Sequence, residues 1–212
     1  MTMLSMGARE RRARHKQLLR QDILDAARAL LVRDGYDALS MRKVAERIDY
    51  SPTAIYLHFK DKQDLVFSLC DETFARLVCE LDTLKRDYPD PLARLRKGLE
   101  RYVAFGLNNP NHYVPTFLLP PPADMTGKHV EAADNPQSNG MRALATLRDT
   151  IADGVRARKL RKVDPDAAAR SAWAAVHGIT SLLIAFPTFP WGDRDRAIKN
   201  VIDMVVDGLR RD

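Results

Sequence analysis

The stretch that decides the fold is ALSMRKVAERIDYSPTAIYLHFKDKQDLV, which runs from Ala38 to Val66. Its first half predicts a short helix capped by Ser40, because serine readily accepts a hydrogen bond from a first helical turn. Ser51 and Pro52 predict the start of a second helix, since proline at the first helical position loses no hydrogen bond. Two short helices joined by a tight turn either pack within a core or place the second helix in the major groove of DNA.

The outward side of the second predicted helix favours a surface made for contact. Ile55 and Phe59 are expected to anchor the helix to the core. The other positions carry small or amphipathic residues, which let a backbone approach a partner closely, where a packing helix would show long charged ones. These positions are Ser51, Pro52, Thr53, Tyr56, Leu57 and His58.

Positive charge is concentrated at the same end of the chain. The 212 residues carry a net charge of +6, with 13 Lys and Arg against 8 Asp and Glu through Lys62, and 21 against 20 beyond it. This distribution predicts a module that binds a polyanion, although a solvated basic tail would give the same count. RERRARHKQLLR, from Arg9 to Arg20, is expected to be a basic arm that follows a DNA backbone or enters a minor groove.

Helical periodicity accounts for most of the remaining chain. The helix preceding the quoted stretch has an apolar face of Leu19, Ile23, Ala26, Ala27, Leu30 and Leu31, and Gly35 suits its left-handed end. Further helices are predicted from Lys60 to near Pro89, and over Pro91–Asn108, Asn111–Leu119, Met141–Arg158, Pro165–Phe186 and Arg194–Arg211. Pro120 to Gly140 is rich in loop-forming residues. With no strand-like alternation, the pattern predicts an all-α protein.

Sequence motifs for catalysis or metal binding are missing from this chain. No two of the five histidines are spaced three or four apart, and there is no G-x-G-x-x-G, P-loop or G-x-S-x-G sequence. We therefore expect neither an enzyme, nor a cofactor, nor a metal site. No apolar run reaches the length of about 18 residues that a membrane helix needs, so we expect a cytoplasmic protein with no membrane partner.

The quoted stretch resembles the DNA-binding domain of the TetR family of transcriptional regulators, over roughly Lys16 to Phe67. The resemblance lies in the alanine-containing second helix, the turn, the S-x-x-x-x-Y-x-H-F third helix and the lysine that opens the fourth. It implies an N-terminal three-helix helix-turn-helix domain, with the basic arm, over residues 1–62. It also implies a larger C-terminal helical domain for effector binding and dimerisation over residues 63–212.

Carried over by position, the family's operator contacts concern nine residues of this chain. Tyr56 and His58 would touch the sugar-phosphate backbone, and Pro52 to Ala54 would face the bases. Lys60 and Lys62 stand where the next helix begins, so that ammonium groups and a helix N-terminus could meet phosphates together. The nine contacts are Ser40, Met41, Arg42, Pro52, Thr53, Ala54, Tyr56, His58 and Lys62, with Ser40 or Met41 near a phosphate.

One turn residue departs from the family pattern. Asp49 stands where the family usually has glycine. Aspartate tolerates the left-handed conformation better than most residues, so the turn is expected to survive at a cost of about 1 kcal/mol.

The second half resembles the TetR C-terminal domains marked by a W-x-x-x-H-G motif, here Trp173, His177 and Gly178. One interpretation is a tryptophan and a histidine satisfied within the core. The other makes them part of an apolar effector pocket, formed by Tyr102, Phe105, Tyr113, Phe117, Trp173 and His177. The last two helices carry more apolar surface than a peripheral position needs, which predicts a homodimer formed through them.

Together these features predict a dimeric, ligand-responsive DNA-binding regulator, a repressor that a small molecule releases from a palindromic site in double-stranded DNA. The alternative is a helical interaction or small-molecule-binding protein that no longer reads DNA, which Asp49 and the Pro-Thr-Ala surface would suit.

Overall fold

The structure, a computed structural model, describes residues 7–119 and 135–211, and within them it is helical. Its helices are α1 (Ala8–Ala38), α2 (Met41–Arg47), α3 (Pro52–Tyr56), α4 (Lys62–Asp82), α5 (Leu84–Asp87), α6 (Pro91–Asn108), α7 (Pro110–Tyr113), a π-helical turn (Val114–Leu118), α8 (Asn139–Arg156), α9 (Pro165–Ala185) and α10 (Arg194–Leu209). Over this part of the chain, the extended pairing is limited to an isolated bridge between Leu160 and Arg210. The all-α prediction is confirmed. No described helix has the length and apolarity to cross a membrane.

The chain divides into two compact units, and the division does not follow a single cut. The described part of the first unit is residues 7–70 and 114–119, and that of the second is residues 71–113 and 135–211. The functional division into residues 1–62 and 63–212 stays a prediction, because the compact units record packing alone.

In the first unit, α1, α2 and α3 enclose a common core. The six apolar residues predicted for α1 are all buried, as are Val44 and Ala45 of α2. Ile55 and Phe59 are buried as well, so the predicted anchors of α3 are confirmed. Leu119, which directly follows the π-helical turn, packs against the same core.

Two residues of this unit have positive φ. Gly35 has φ 79° and ψ 175°, an extended conformation that favours glycine, and it interrupts α1 before the helix ends at Ala38. Asp49 has φ 57°, which confirms that aspartate keeps the left-handed turn after α2. The Tyr50 amide donates to the Ala45 carbonyl at 3.0 Å, closing α2 with the hydrogen bond of a Schellman cap. This turn sets the direction in which α3 leaves.

In the second unit α6 packs against α8, α9 and α10. Its amphipathic sequence buries Leu95, Leu99, Tyr102, Val103 and Phe105. The guanidinium of Arg94, also buried, donates to Asp153 of α8 at 2.5 Å, so that the buried charge is paired.

Several predicted boundaries differ from the structure. The helix predicted from Lys60 to Pro89 is interrupted at Thr83, which separates α4 from α5. The segment predicted as a helix over Asn111–Leu119 is split between α7 and the π-helical turn. The basic segment from Arg9 belongs to the first turns of α1, and its predicted role as an arm along DNA stays a prediction. Most of the predicted Pro120–Gly140 loop lies outside the described residues, and α8 already begins at Asn139.

At Gly106 of α6, both Thr180 of α9 and the ring of Tyr113 approach the helix closely. A Cβ atom at this position would lie 2.4 Å from the Thr180 Cγ2 and 2.9 Å from the ring of Tyr113. A Cβ atom at Gly98, on the same helix, would meet its nearest neighbour, Leu84, at an ordinary 3.4 Å. The position of the Tyr113 ring therefore requires glycine at position 106.

We predict that Gly106→Ala lowers the free energy of unfolding by about 1–3 kcal/mol, because the added methyl group overpacks the core. The matched control Gly98→Ala should be neutral or stabilising by up to about 1 kcal/mol, because alanine favours a helix. Urea denaturation followed by circular dichroism measures both. Equal stability of the two variants would contradict the close packing at Gly106.

Candidate functional site

The short helix α3 is fixed by its cap and its two anchors. Ser51 accepts a hydrogen bond from the Ala54 amide through its Oγ at 3.3 Å, and Pro52 occupies the first turn. Ile55 and Phe59 hold the inner side in the core. The predicted start of this helix is confirmed, and its opposite side is free to meet a partner.

The outward side of α3 is exposed and largely uncharged. Pro52, Thr53 and Tyr56 are exposed, as the site prediction requires. Leu57, just beyond the helix, is 75% exposed, more than any other large apolar side chain of the described residues. The site prediction omitted Leu57, although its place among the outward positions was a signal that could have included it.

Met41, one of the predicted phosphate contacts, has a buried side chain. Its side chain is only 6% exposed and belongs to the core, because it begins the apolar stripe of α2. Any contact with a phosphate would therefore have to come from its backbone. The neighbouring Ser40 caps α2, and its Oγ accepts a hydrogen bond from the Lys43 amide at 3.2 Å.

Two of the three cationic side chains of α2 are exposed but engaged. Arg42 donates to Glu46 at 2.8 Å along the helix, and this pair raises the pKa of the guanidinium. Lys43 donates through Nζ to the Ala38 carbonyl at 2.8 Å. A phosphate at this surface would have to compete with these internal partners.

His58 lies between the core of the first unit and the outward side of α3. Its ring is half-buried, and its Nδ1 is buried with no hydrogen-bond partner among the described residues. Burial lowers the pKa of the imidazole, and the charges of Lys16 and Arg20 lower it further. His58 is therefore neutral near pH 7, so its hydrogen bond to a backbone phosphate would come from a neutral N–H.

The start of α4 is closed by its own carboxylates. The Asp64 amide donates to Asp61 Oδ1 at 2.8 Å, and the Lys60 amide donates to Asp64 Oδ2 at 2.9 Å, an arrangement like a capping box. The amides of Lys60 and Asp64 therefore already have partners, and the expectation that this helix N-terminus and the lysines hold phosphate together stays a prediction. The ammonium of Lys62 lies over the ring of Tyr36, 3.8 Å from its centroid.

A second candidate site, in the second compact unit, is a hydrogen-bonded group of four aromatic side chains. The indole N–H of Trp173 donates to the Tyr102 hydroxyl at 3.1 Å, and the two tyrosine hydroxyls lie 3.1 Å apart. The Tyr113 hydroxyl is 2.6 Å from His177 Nδ1, and the Tyr102 hydroxyl is 3.3 Å from the same atom. We call Tyr102, Tyr113, Trp173 and His177 the aromatic cluster.

The aromatic cluster is uncharged near neutral pH. Burial raises the pKa of Tyr102 and of Tyr113, and burial lowers the pKa of His177. With both tyrosines protonated and His177 neutral, the shortest contact has the Tyr113 hydroxyl donating to Nδ1. This assignment places the imidazole proton of His177 on Nε2.

The cluster is neither a closed core nor the whole predicted pocket. Tyr113 is fully buried, whereas Trp173 is 38% exposed, so one end of the cluster meets solvent. Phe105 is buried on the same helix as Tyr102. Phe117 belongs to the other compact unit, and its part in a pocket stays a prediction.

Comparison with known proteins bears on both units. The family described as "Bacterial regulatory proteins, tetR family" matches residues 23–69, and "Tetracyclin repressor-like, C-terminal domain" matches residues 95–208. The transcriptional repressor KstR of Mycobacterium tuberculosis is 32% identical over 90 residues, which are 42% of this chain and 39% of KstR. The curated relatives are matched over only 29% to 49% of their own lengths.

Solved structures share the fold along nearly the whole chain. A protein of unknown function from Rhodococcus sp. RHA1 superposes with a TM-score of 0.73 at 24% identity, covering 91% of this chain and 96% of that one. The regulator FadR from Bacillus subtilis, solved with stearoyl-CoA, has a TM-score of 0.76 at 16% identity, covering 90% and 99%. The C-terminal match alone covers more than half of the 212 residues, and with the N-terminal match it shows that this chain belongs to the TetR family.

Proposed function

We propose that this protein is a dimeric, ligand-responsive transcriptional regulator that binds double-stranded DNA through α3. The observation that carries the proposal is the exposed, uncharged outer side of a helix whose inner side is fully anchored. The basic excess of the N-terminal residues supports a DNA partner, because lysine and arginine provide most of the affinity for phosphates. Family membership supports the same function.

The contacts divide into those that position the protein and those that recognise bases. Tyr56, His58 and Lys62 would bind the sugar-phosphate backbone, with Ser40 or the Met41 amide near a further phosphate. Pro52, Thr53 and Ala54 would face the bases, and they offer methyl and methylene groups in place of amides. Thymine methyl groups are the base feature that suits such a surface.

Among the predicted contacts, Arg42 would provide a guanidinium donor for a base or phosphate. Its guanidinium is exposed and paired with Glu46 along one helix, and exposed pairs of this kind contribute little to stability. Exchange of this partner for a phosphate therefore costs little.

The dimer would form through the outer sides of α9 and α10. On α10 the outward residues Ala197, Val201, Met204 and Gly208 recur at helical spacing, and Met204 is 67% exposed. On α9 a Cβ atom at Gly178 would meet nothing within 4 Å, and Leu182 is exposed nearby. Small residues let helix axes approach, so these sides suit pairing with a second copy in a four-helix interface.

The effector would bind at the aromatic cluster, together with Phe105 of the same compact unit. The cluster joins buried apolar surface to a few polar groups, and Trp173 gives it access to solvent. Effector binding would favour a conformation with lower affinity for DNA, since a ligand shifts an equilibrium only by its differential affinity for two states. In this proposal the protein acts as a repressor, and the effector releases it from a palindromic site.

The DNA-binding proposal predicts tight binding to DNA that flanks the protein's own gene. In an electrophoretic shift assay, this DNA should bind about a thousandfold or more tightly than scrambled DNA of equal length, which is the usual margin of specific sites. Equal affinity for the two would instead favour a helical interaction or small-molecule-binding protein.

In the same assay Lys62→Ala should weaken binding to both DNAs alike. The dependence of log affinity on log salt should become shallower by about one per protomer, because one phosphate contact is lost. Lys97→Ala is the matched control, since Lys97 lies on α6 and pairs with Glu100. An unchanged salt slope for Lys62→Ala would remove this lysine from the contact set.

The dimer proposal predicts that Met204→Asp yields monomers in analytical ultracentrifugation, near the chain mass of 24.0 kDa instead of twice that value. The physical reason is that each copy would bury a carboxylate in an apolar interface. Val32→Asp, which changes an exposed apolar residue of α1, should leave the dimer intact. A dimer that survives Met204→Asp would place the interface elsewhere.

The effector proposal predicts saturable binding of N-phenyl-1-naphthylamine, a neutral apolar dye, beside Trp173. The chain has two tryptophans, so Trp191→Phe leaves Trp173 as the single reporter and Trp173→Phe is the matched control. Dye binding should quench the tryptophan emission of the first variant and spare that of the second. Equal quenching in both, or none, would argue against an effector site at the aromatic cluster.

A further inference from the structure

Lys62 differs from Arg42 and Lys43 of α2 in how its charge is held. Its ammonium lies 3.8 Å from the centroid of the Tyr36 ring, a close cation–π contact. Tyr36 directly follows Gly35 and packs, partly buried, against the core of the first unit. The ring is therefore a fixed support for a side chain that is otherwise long and flexible.

The charge of Lys62 is not neutralised by a carboxylate. Within residues 7–119 and 135–211, Lys62 forms no ion pair, although Asp61 and Asp64 are close in sequence. Both carboxylates accept hydrogen bonds from backbone amides at the start of α4 instead. By contrast, the charge of Arg42 is shared with Glu46.

The cation–π contact prepares the lysine for an anion. An ammonium has three donors, and an aromatic face that attracts the charge satisfies none of them as fully as an oxygen would. The donors of the Lys62 ammonium therefore stay available to phosphate oxygens. Because a lysine side chain loses much rotamer freedom when it is fixed, holding the ammonium in place before DNA binds reduces that loss.

We propose that Tyr36 is a positioning residue for the phosphate contact of Lys62. This inference rests on the proposed DNA-binding function. In it, Tyr36 supports DNA binding without touching DNA itself. Tyr36 lies outside α2, α3 and the turn between them, and it acts through the lysine that begins α4.

The geometry can be tested on the free protein by nuclear magnetic resonance. The methylene protons next to the Lys62 ammonium should resonate upfield of those of other lysines, because they lie above the Tyr36 ring. Tyr36→Leu should abolish this displacement and Tyr36→Phe should retain it. Methylene resonances at ordinary positions in the unchanged protein would overturn the inference, whatever the protein does with DNA.

The functional role is tested by a double-mutant cycle with the full chain and DNA flanking its gene. Tyr36→Leu should weaken binding about two- to fivefold, the ratio that corresponds to one exposed cation–π contact. The loss should be equal on scrambled DNA, since phosphates are common to every sequence. Tyr36→Phe should restore the affinity, and Tyr36→Leu in a Lys62→Ala background should cost nothing further.

A change of packing at position 36 would give a different pattern. If Tyr36→Leu only disturbs the core, its effect and that of Lys62→Ala will add, and the inference is overturned. Tyr36→pentafluorophenylalanine keeps the shape of the ring while weakening its attraction for a cation, so it should behave like Tyr36→Leu. Full affinity for this variant would also overturn the inference.

The experiments distinguish a failure of the DNA-binding proposal from a failure of the role assigned to Tyr36. If the unchanged protein does not distinguish its own DNA from scrambled DNA, the proposed regulator function fails, while the resonance displacement of Lys62 still reports on Tyr36. If specific binding holds and the cycle is additive, only the role of Tyr36 fails.

Discussion

Burial of Ile55 and Phe59 against the core of the first unit is the interaction on which the proposed DNA-binding surface depends. A helix of five residues has no stability of its own, because nucleation costs more than so few hydrogen bonds return. The core therefore holds α3, and the cap at Ser51 and the left-handed Asp49 set its direction. With Ile55 and the following Phe59 buried, Pro52, Thr53 and Tyr56 of α3 face solvent.

The charged residues around this surface differ in how far they are already engaged. Arg42 has a carboxylate partner, Lys43 donates to a backbone carbonyl, and Lys62 rests on an aromatic ring. An incoming phosphate has to replace the first two partners, whereas the third contact leaves the charge unneutralised. Local competition, and not the count of basic residues alone, therefore decides which cations are ready to bind DNA.

The second unit combines tight packing with a polar interior. Tyr113 is held between Gly106 and His177, where its hydroxyl finds an acceptor at 2.6 Å. Burial raises the pKa of the two tyrosines and lowers the pKa of His177, so each of these side chains stays uncharged. Such a site satisfies its own hydrogen bonds, and a ligand that enters beside Trp173 has to offer comparable partners.

The sequence by itself determined the helices, because caps, apolar periodicity and left-handed residues act between neighbours along the chain. The starts of α3 and α6, the buried faces of α1 and α2 and the turn at Asp49 all follow from such local signals. Only the tertiary structure decided that the ammonium of Lys62 lies on Tyr36, and that residues 102, 113, 173 and 177 form one hydrogen-bonded group. Those contacts join residues that are far apart in the chain, and helical periodicity does not predict the distances between such residues.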